Sequence, residues 1–310
     1  MRVGHVRRLL PVLPIVVVAS VLVAATTPAQ DPGESHPWVL QERKHWQIAS
    51  PGAEAKEVTD AALGGRGRCL PGMVDVSGSM KVNGWGYEDG IDTLQEGTCV
   101  DWIQKAYPER CERFDRNVWL ERSHPLATQT MRFCIDRYEY PNQRLAYPWI
   151  MVTWTEATAL CAREGERLCS EAEWTFACEG PEALPYPYGY ERDSTACVSD
   201  RPWRNVAPAA LSPRDSPHAR AEIDRLWQGE ASGSRARCKS PFGIYDLVGN
   251  VDEWTVSVVR GERPSILKGG YWGRVRDRCR PSTRAHGEDF AFYQQGFRCC
   301  ADEPAAAPSR

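Results

Sequence analysis

The sequence lacks the patterns that mark several common protein classes. It has no block of basic residues, and its 38 Lys and Arg are outnumbered by 41 Asp and Glu. A mildly acidic chain without a basic cluster is a poor candidate for electrostatic binding to nucleic acid. It also lacks the G-x-S-x-G, H-E-x-x-H, P-loop and dinucleotide-binding glycine patterns, which excludes the usual sequence signatures of those enzyme classes.

Internal repeats at a period of 20–50 residues are also missing, which excludes solenoids and propellers. What the sequence does contain is 12 Trp and 11 Tyr residues among 310, far more aromatic surface than a disordered chain carries. Many short segments broken by Gly and Trp, with few long helical patterns, predict an α+β domain that is rich in loops.

The cysteine pattern lacks any C-x-x-C pair, although the chain contains 12 cysteines. This absence argues against a zinc site made of cysteines. The first cysteine is Cys69, so lipid attachment at a cysteine after an N-terminal signal is excluded. An even number of cysteines favours disulfide bonds in an oxidising compartment.

The first 29 residues have the pattern of a secretory signal peptide. Arg7 and Arg8 precede an apolar run over residues 9–25, and small residues follow it. Cleavage after Ala25 or after Ala29 fits equally well, and an uncleaved membrane anchor is the alternative. We expect a secreted or periplasmic protein with no membrane span after signal cleavage.

Composition divides the rest of the chain. Residues 30–65 are polar and contain Pro32, Pro37 and Pro51, which predicts a flexible tether. The domain is expected over residues 66–303 and a short tail over 304–310. Residues 207–240 are rich in Ala, Arg, Ser and Pro, which predicts a surface insertion with a short helix near residues 219–227.

Local signals predict two further helices. One starts near Thr153 or Thr155 and ends at Gly165. The other starts at Ser170, where Glu173 completes a capping box, and ends at Gly180. Short strands are predicted over residues 73–76, 133–135, 244–250 and 265–270.

An ordered series of motifs runs through the chain. The motifs are Arg167–Trp174, Tyr186–Gly189, Phe242–Trp254, Lys268–Trp272, Arg280–Arg284 and Gly296–Cys299, with Cys69–Met73 and Phe133–Asn142 upstream. This series resembles the formylglycine-generating enzyme (sulfatase-modifying factor) family. The resemblance covers about residues 66–303, and it implies that family's loop-rich, disulfide-braced α+β fold, which is related to C-type lectins.

The chain departs from the family at the active centre. The enzymes oxidise a sulfatase cysteine with oxygen and a copper ion held by two thiolates, and soft thiolates suit Cu(I). The matching segment, residues 271–279, contains only Cys279. Tyr271 replaces the family's serine, and Asp252 replaces its tryptophan. We therefore expect neither formylglycine generation nor a copper or iron centre.

The resemblance also implies a calcium site in the Gly-Asn loop. Asp246 and Glu253 would supply carboxylate oxygens, and Gly249 and Val251 would supply backbone carbonyls. Calcium prefers several oxygen ligands from a folded loop. The alternative is that Asp246 and Glu253 only cap turns.

Two disulfide bonds are implied by the resemblance as well. The family's pattern pairs Cys161 with Cys299, and it brings Cys178 towards Cys279. The connectivity of the other eight cysteines cannot be deduced from the sequence.

A ligand groove is predicted between the last motifs. His286 and Glu288, two residues apart on an extended segment, would point to the same side. With Tyr293 they would bind a metal or act as acid and base, although a hydrogen-bonded surface loop is the plainer interpretation. Tyr271, Trp272 and Arg284 complete the predicted groove, with core packing as the favoured alternative for Trp272.

These expectations favour an exported binding module, stabilised by calcium, whose groove recognises a protein, a peptide or a glycan. The first alternative is an enzyme of the same fold with an altered centre, such as a metal-dependent oxidase. The second is a scaffold protein of the cell envelope.

Overall fold

The structure is a computed structural model that describes residues 35–56, 69–82, 90–257, 259 and 261–302. The predicted signal peptide, the predicted tail and residues 30–34 and 57–65 of the predicted tether lie outside these ranges. Among the described residues, every helix is too short or too polar to cross a lipid bilayer.

Helices are few and short, and strands are many, which confirms an α+β domain rich in loops. The α-helices are α1 Ile91–Glu96, α2 Arg116–Ser123, α3 Trp154–Arg163, α4 Glu171–Glu179 and α5 Pro217–Leu226, with a 3-10 helix at Pro208–Leu211. The strands are β1 Trp38–Gln41, β2 His45–Ile48, β3 Met73–Val82, β4 Cys99–Gln104, β5 Arg110–Phe114, β6 Ala127–Asp136, β7 Arg167–Leu168, β8 Asp252–Val256, β9 Ser265–Lys268, β10 Ser282–Thr283, β11 Gln295–Phe297 and β12 Cys299–Ala301.

Two four-stranded sheets organise the described residues. The first has the order β3-β6-β12-β7 and is antiparallel throughout. Strands β3 and β6 pair over ten residues each, so both predicted strands in this region are confirmed and are longer than the sequence indicated. The second sheet has the order β10-β9-β8-β11, in which β11 runs parallel to β8.

Helices α3 and α4 begin as predicted. The Thr153 hydroxyl accepts the Glu156 N–H, and the Glu156 carboxylate accepts the Thr153 N–H. Ser170 and Glu173 form the same reciprocal capping box at α4, which ends at Gly180. Each box satisfies two N–H groups that the first helical turn leaves without a partner in the helix.

The tether prediction is wrong for residues 35–56. Strands β1 and β2 form a hairpin, and Trp46 forms a bridge with Ile150 of the main domain. Trp38, Trp46 and Ile48 are buried in a hydrophobic cluster, so this segment is part of the core. The turn between the strands uses Glu42 and Arg43 at positive φ, without the glycine that would have marked it.

The predicted insertion contributes to the same cluster. The predicted short helix is confirmed as α5, but Ile223 and Leu226 on this helix are fully buried. Asp224 accepts hydrogen bonds from the Trp38 indole at 2.8 Å and from the His36 backbone N–H at 3.0 Å. Residues 207–240 therefore cover the N-terminal hairpin instead of lying only on the surface.

The strand predicted at residues 244–250 is wrong. The segment is an irregular loop, although Ile244, Leu247 and Val248 are buried as a strand core would be. Asp246, Gly249 and Asn250 have positive φ, which interrupts extended backbone. Of the strand predicted over residues 265–270, the part up to residue 268 is confirmed as β9.

All twelve cysteines form disulfide bonds. The two bridges that the resemblance implied, Cys161–Cys299 and Cys178–Cys279, are both present. The other bridges are Cys69–Cys134, Cys99–Cys111, Cys169–Cys300 and Cys197–Cys238. A chain braced in this way fits an oxidising compartment outside the cytosol.

Candidate ligand groove

A groove of about 190 Å³ opens where the second sheet meets the hairpin β4–β5. Tyr107 and Pro108, at the tip of this hairpin, form its mouth, and the ring of Tyr107 is 71% exposed. The disulfide Cys99–Cys111 holds the two hairpin strands together. The remaining polar and aromatic lining is Asp252, Tyr271, Arg276, Ser282, Thr283, His286 and Gln294.

Asp252 is the acidic side chain of this groove. It begins strand β8, and its backbone N–H donates to the carbonyl of Gln294 at 2.9 Å. Burial raises the pKa of Asp252 to about 7, the Gly270 N–H lowers it, and the nearby Glu253 raises it. No arginine or lysine of the described residues lowers this pKa, so the carboxyl has no cationic partner there.

Gly270 allows the chain to turn beneath the groove. Its φ of +72° favours glycine, and a Cβ there would lie 2.2 Å from Oδ1 of Asp277. Asp277 is buried, and its Oδ2 accepts a hydrogen bond from Arg192 at 2.8 Å. Burial raises the pKa of Asp277, and Arg192 lowers it.

The two aromatic residues after Gly270 separate into different environments. Tyr271 lines the groove, and burial raises the pKa of its hydroxyl. Trp272 is 1% exposed and its ring lies 4.7 Å from that of Trp227 in the core. Tyr271 is therefore placed to contact a ligand, and Trp272 packs behind it.

His286 lines the groove, but the structure does not join it to the other predicted acid–base residues. Its ring stacks on Phe290 at 4.2 Å, and burial lowers the pKa of the imidazole. Glu288 instead accepts the Ser265 hydroxyl at 3.2 Å. Tyr293 is buried and packs against Trp272. Among the described contacts, neither residue bonds to the His286 ring.

Arg284 lies outside the groove lining. Its guanidinium binds both carboxylate oxygens of Glu171 at 2.8 Å and also contacts Glu262 at 3.0 Å. The predicted role of Arg284 in ligand binding is thus replaced by an ion-pair network at the N-terminus of α4.

Cys279 has no free sulfur to offer a metal, since it is bonded to Cys178. The same holds for every other cysteine of the chain. A metal site of two thiolates would require the reduction of at least one bridge.

The four predicted calcium ligands do not fit as one set. Both oxygens of Glu253 accept Arg298, at 2.6 and 2.7 Å, and Oε2 also accepts the Trp174 indole at 2.7 Å. Asp246 accepts the Gly233 N–H at 2.6 Å. With these contacts, Glu253 is neutralised by an arginine, so it is a weaker ligand for a shared cation than an unpaired carboxylate.

Calcium binding at this loop stays a prediction because of a neighbouring carboxyl. Glu139 is buried, and its Oε1 has no hydrogen-bond partner among the described residues. Its Oε2 accepts Ser232 and Asn250 at 2.6 and 2.7 Å. Burial raises the pKa of Glu139, and the charges of Asp246 and Glu253 raise it further. An oxygen-binding cation would relieve this repulsion, with Glu139 and Asp246 as its carboxylates.

Buried carboxyls make the stability fall as pH rises. Burial raises the pKa values of Asp246, Asp252 and Glu166 to about 7 each. The folded state then keeps protons that the unfolded state has released, so stability is lost as pH rises towards and through 7. We expect the free energy of unfolding to be about 2 kcal/mol lower at about pH 8 than at about pH 6.5. Urea unfolding at both pH values measures this difference.

Groups whose pKa values are lowered act in the opposite sense. Burial lowers the pKa of Lys268 to about 8, which offsets a small part of the loss between pH 6.5 and 8. His45 and Glu156 act at lower pH. Burial lowers the pKa of His45, whose protonation costs stability below about 6.5. Burial alone would raise the pKa of Glu156, but hydrogen bonds from Arg214 and Thr153 lower it to about 2, so its contribution is lost only in acid. Replacing Glu166 by Gln should reduce the slope between pH 6.5 and 8. A stability that rises over this range contradicts the prediction.

Sequence reasoning missed several residues of the groove. Asp252 was noticed only as a departure from the family, and Gln294 was not singled out as a site residue. Arg276 was considered with Arg274 and Arg278 as a candidate pocket residue, and it lines the groove. No sequence motif indicated Tyr107 as a groove residue, because it reaches the groove from a hairpin far away in the sequence. Its contact with Arg276, whose guanidinium lies 5.1 Å from the ring centre, exists only in the folded chain.

Comparison with known proteins agrees with the motifs. A family model described as sulfatase-modifying factor enzyme 1-like domain matches residues 78–303. The chain is 30% identical over 171 residues to the inactive C-alpha-formylglycine-generating enzyme 2 of Bos taurus, which covers 52% of each protein. It is 27% identical over 179 residues to the formylglycine-generating enzyme of Mus musculus, which covers 51% of this chain and 45% of that enzyme. The chain thus spans about half the length of these curated relatives.

Among solved structures, PvdO from Pseudomonas aeruginosa is similar over 74% of this chain and 94% of its own, with a TM-score of 0.45 and 17% identity. CarF is similar over 74% of this chain and 97% of its own, with a TM-score of 0.44 and 15% identity.

Proposed function

Because the chain belongs to the family of sulfatase-modifying factor enzyme 1-like domains, we propose that it is a member without oxidase activity, which binds a segment of another exported molecule in its groove. The observation that carries this proposal is the state of Cys279. Its bond to Cys178 leaves the segment at the groove without a thiolate, and the copper chemistry of the family needs two.

The groove itself supports a binding role. It combines aromatic side chains with a few polar groups, which is the usual composition of a recognition site. The name of the Bos taurus relative, an inactive formylglycine-generating enzyme, is in keeping with a family member that does not perform the oxidation.

We also propose export through the signal-like segment at residues 1–29 and a structural calcium ion near the Gly-Asn loop. Six disulfide bonds support export, since such bonds persist in oxidising compartments. The unpartnered oxygen of Glu139 supports the ion. In this proposal calcium binds and orders the loop, and it takes no part in chemistry.

A cysteine-oxidation assay tests the proposal. The mature chain, produced in an oxidising compartment, is incubated with a sulfatase-derived cysteine peptide, Cu(I) and oxygen, and the peptide mass is followed. We expect no formylglycine product, whereas the formylglycine-generating enzyme of Mus musculus serves as the active control. Elemental analysis of the same preparation should find calcium. Peptide conversion, or stoichiometric copper or iron in the purified protein, contradicts the proposal and favours a metal-dependent oxidase.

A further inference from the structure

We propose that the groove is a receptor for a single lysyl side chain of an exported protein or peptide, with Asp252 as the residue that binds its ammonium group. This inference rests on the proposed binding function and names the chemistry of its ligand. It derives from two acceptors in the groove lining: Asp252 has no ion-pair partner, and Oε1 of Gln294 has no hydrogen-bond partner, among the described residues.

The partners of Asp252 differ from those of the other buried acids nearby. Asp277 is paired with Arg192, and Glu253 is paired with Arg298. Asp252 has only the Gly270 N–H among the described groups that stabilise its charge. Asp252 lines the groove and forms no ion pair with a described residue, so a cationic ligand can supply the missing partner.

A second acceptor lies in the same lining. The side-chain Oε1 of Gln294 is buried and has no hydrogen-bond partner among the described residues. A buried acceptor without a partner lowers stability. An ammonium group carries three donors and no acceptor, so it suits a groove whose lining contains both Asp252 and Gln294.

The size of the groove points to one side chain. Its volume of about 190 Å³ is below the roughly 300–1,000 Å³ typical of pockets that enclose a whole small molecule. Leu267, Val275 and the ring of Tyr271 give it apolar walls. Such walls suit the methylene chain of a lysine, which buries its stem while its charged end finds a partner.

Lysine fits better than arginine for a geometric reason. The acceptors in the lining belong to two different side chains, Asp252 and Gln294, whereas a planar guanidinium is best matched by the two oxygens of one carboxylate. An ammonium acts as a point charge and needs no such pair. Arg276 at the mouth, held over Tyr107, repels further cations, so a lone lysine is favoured over a basic cluster.

The position of Asp252 makes this chemistry particular to the chain. The family motif that the sequence resembles has tryptophan at this place, directly before the Glu-Trp pair. A carboxylate at this place carries a negative charge that tryptophan lacks, and this charge is the reason to expect a cationic side chain in the groove.

Titration with matched peptides tests the proposal. The probes are acetyl-Gly-Lys-Gly-amide and the same peptide with norleucine, which has an uncharged side chain of similar length. We expect ligand-observed NMR to show that the lysine peptide binds the mature chain at least about ten-fold more tightly, a difference of about 1.4 kcal/mol. D252N should remove this preference. D289N, which neutralises an exposed acid outside the groove, should retain it.

Each outcome decides the question. Equal binding of the two peptides overturns the lysyl receptor and leaves a groove that binds by other contacts. If neither peptide binds, the lysyl proposal is wrong. If cross-linking at Tyr271 also captures no labelled ligand, the proposed binding function is wrong as well. Should D252N not fold, acetylation of the lysine probe provides the second comparison, because it removes the charge and must abolish the preference.

Discussion

Removal of the Cys161–Cys299 bridge alone should lower the free energy of unfolding by only about 3 kcal/mol, although the bridge joins residues 138 apart. The reason is that Cys169–Cys300 ties the same two segments together. With that second bridge intact, the loop closed by the first contains only about ten residues, and the entropy gained by the unfolded chain is small. Serine at both positions, followed by urea unfolding without reductant, measures the effect.

Removing both bridges should cost about 7 kcal/mol, which is more than the two single losses added together. The second removal opens a larger loop, because the next link between the segments is Cys178–Cys279. The control is the bridge Cys99–Cys111 of the β4–β5 hairpin. It closes a loop of 12 residues, and no second bridge joins the same two strands. Its loss should cost about 3 kcal/mol. Strictly additive losses would contradict the redundancy of the two parallel bridges.

Replacing Arg298 by Met should destabilise the domain by about 3–5 kcal/mol. Arg298 is fully buried, binds both oxygens of Glu253, and donates to the Tyr245 carbonyl at 2.9 Å. Without it, Glu253 remains buried beside Asp246 and Glu139 and has no ion-pair partner among the described residues. Chemical unfolding of the variant measures the loss.

The matched control is R116M. Arg116 also binds a carboxylate with two nitrogens, at 2.8 and 3.0 Å from Glu182, but its side chain is 55% exposed. Its replacement should cost far less than that of Arg298, because an ion pair exposed to solvent contributes little to stability. Adding E253Q to R298M should restore part of the stability, since the unpaired charge is removed. Equal costs for the two arginine variants would show that burial does not control this ion pair.

Local signals predicted α3 and α4 because their causes are local, whereas α1 and α2 were not predicted. The Thr153 and Ser170 caps lie within three residues of the groups they satisfy, so the sequence alone identified Ser170 as one helix start and placed the other at Thr153 or Thr155. The loop at residues 244–250 misled the strand prediction, because its apolar residues are buried by packing from distant parts of the chain. Its positive φ at Asp246 and Asn250, neither of which is glycine, had no clear marker in the sequence.

The groove was predictable only in part for the same reason. Tyr271 and His286 belong to motifs near each other in the sequence, and the structure places both in the lining. Tyr107 reaches the groove through the β4–β5 hairpin, and its position depends on how that hairpin packs. Asp252 is a different case. Its proposed role depends on the absence of a cationic partner among the described residues, and only the folded structure shows which charges lie near it.

The place of strand β12 has a consequence for biosynthesis. This strand lies between β6 and β7, and its neighbouring cysteines bond to partners 138 and 131 residues earlier in the chain. Synthesis at roughly 5–20 residues per second means that Cys169 waits on the order of ten seconds for Cys300 to leave the ribosome. In an oxidising compartment, we expect Cys161 and Cys169 to be open to other pairings throughout that interval. We therefore expect a thiol–disulfide isomerase to increase the yield of the correctly bridged domain.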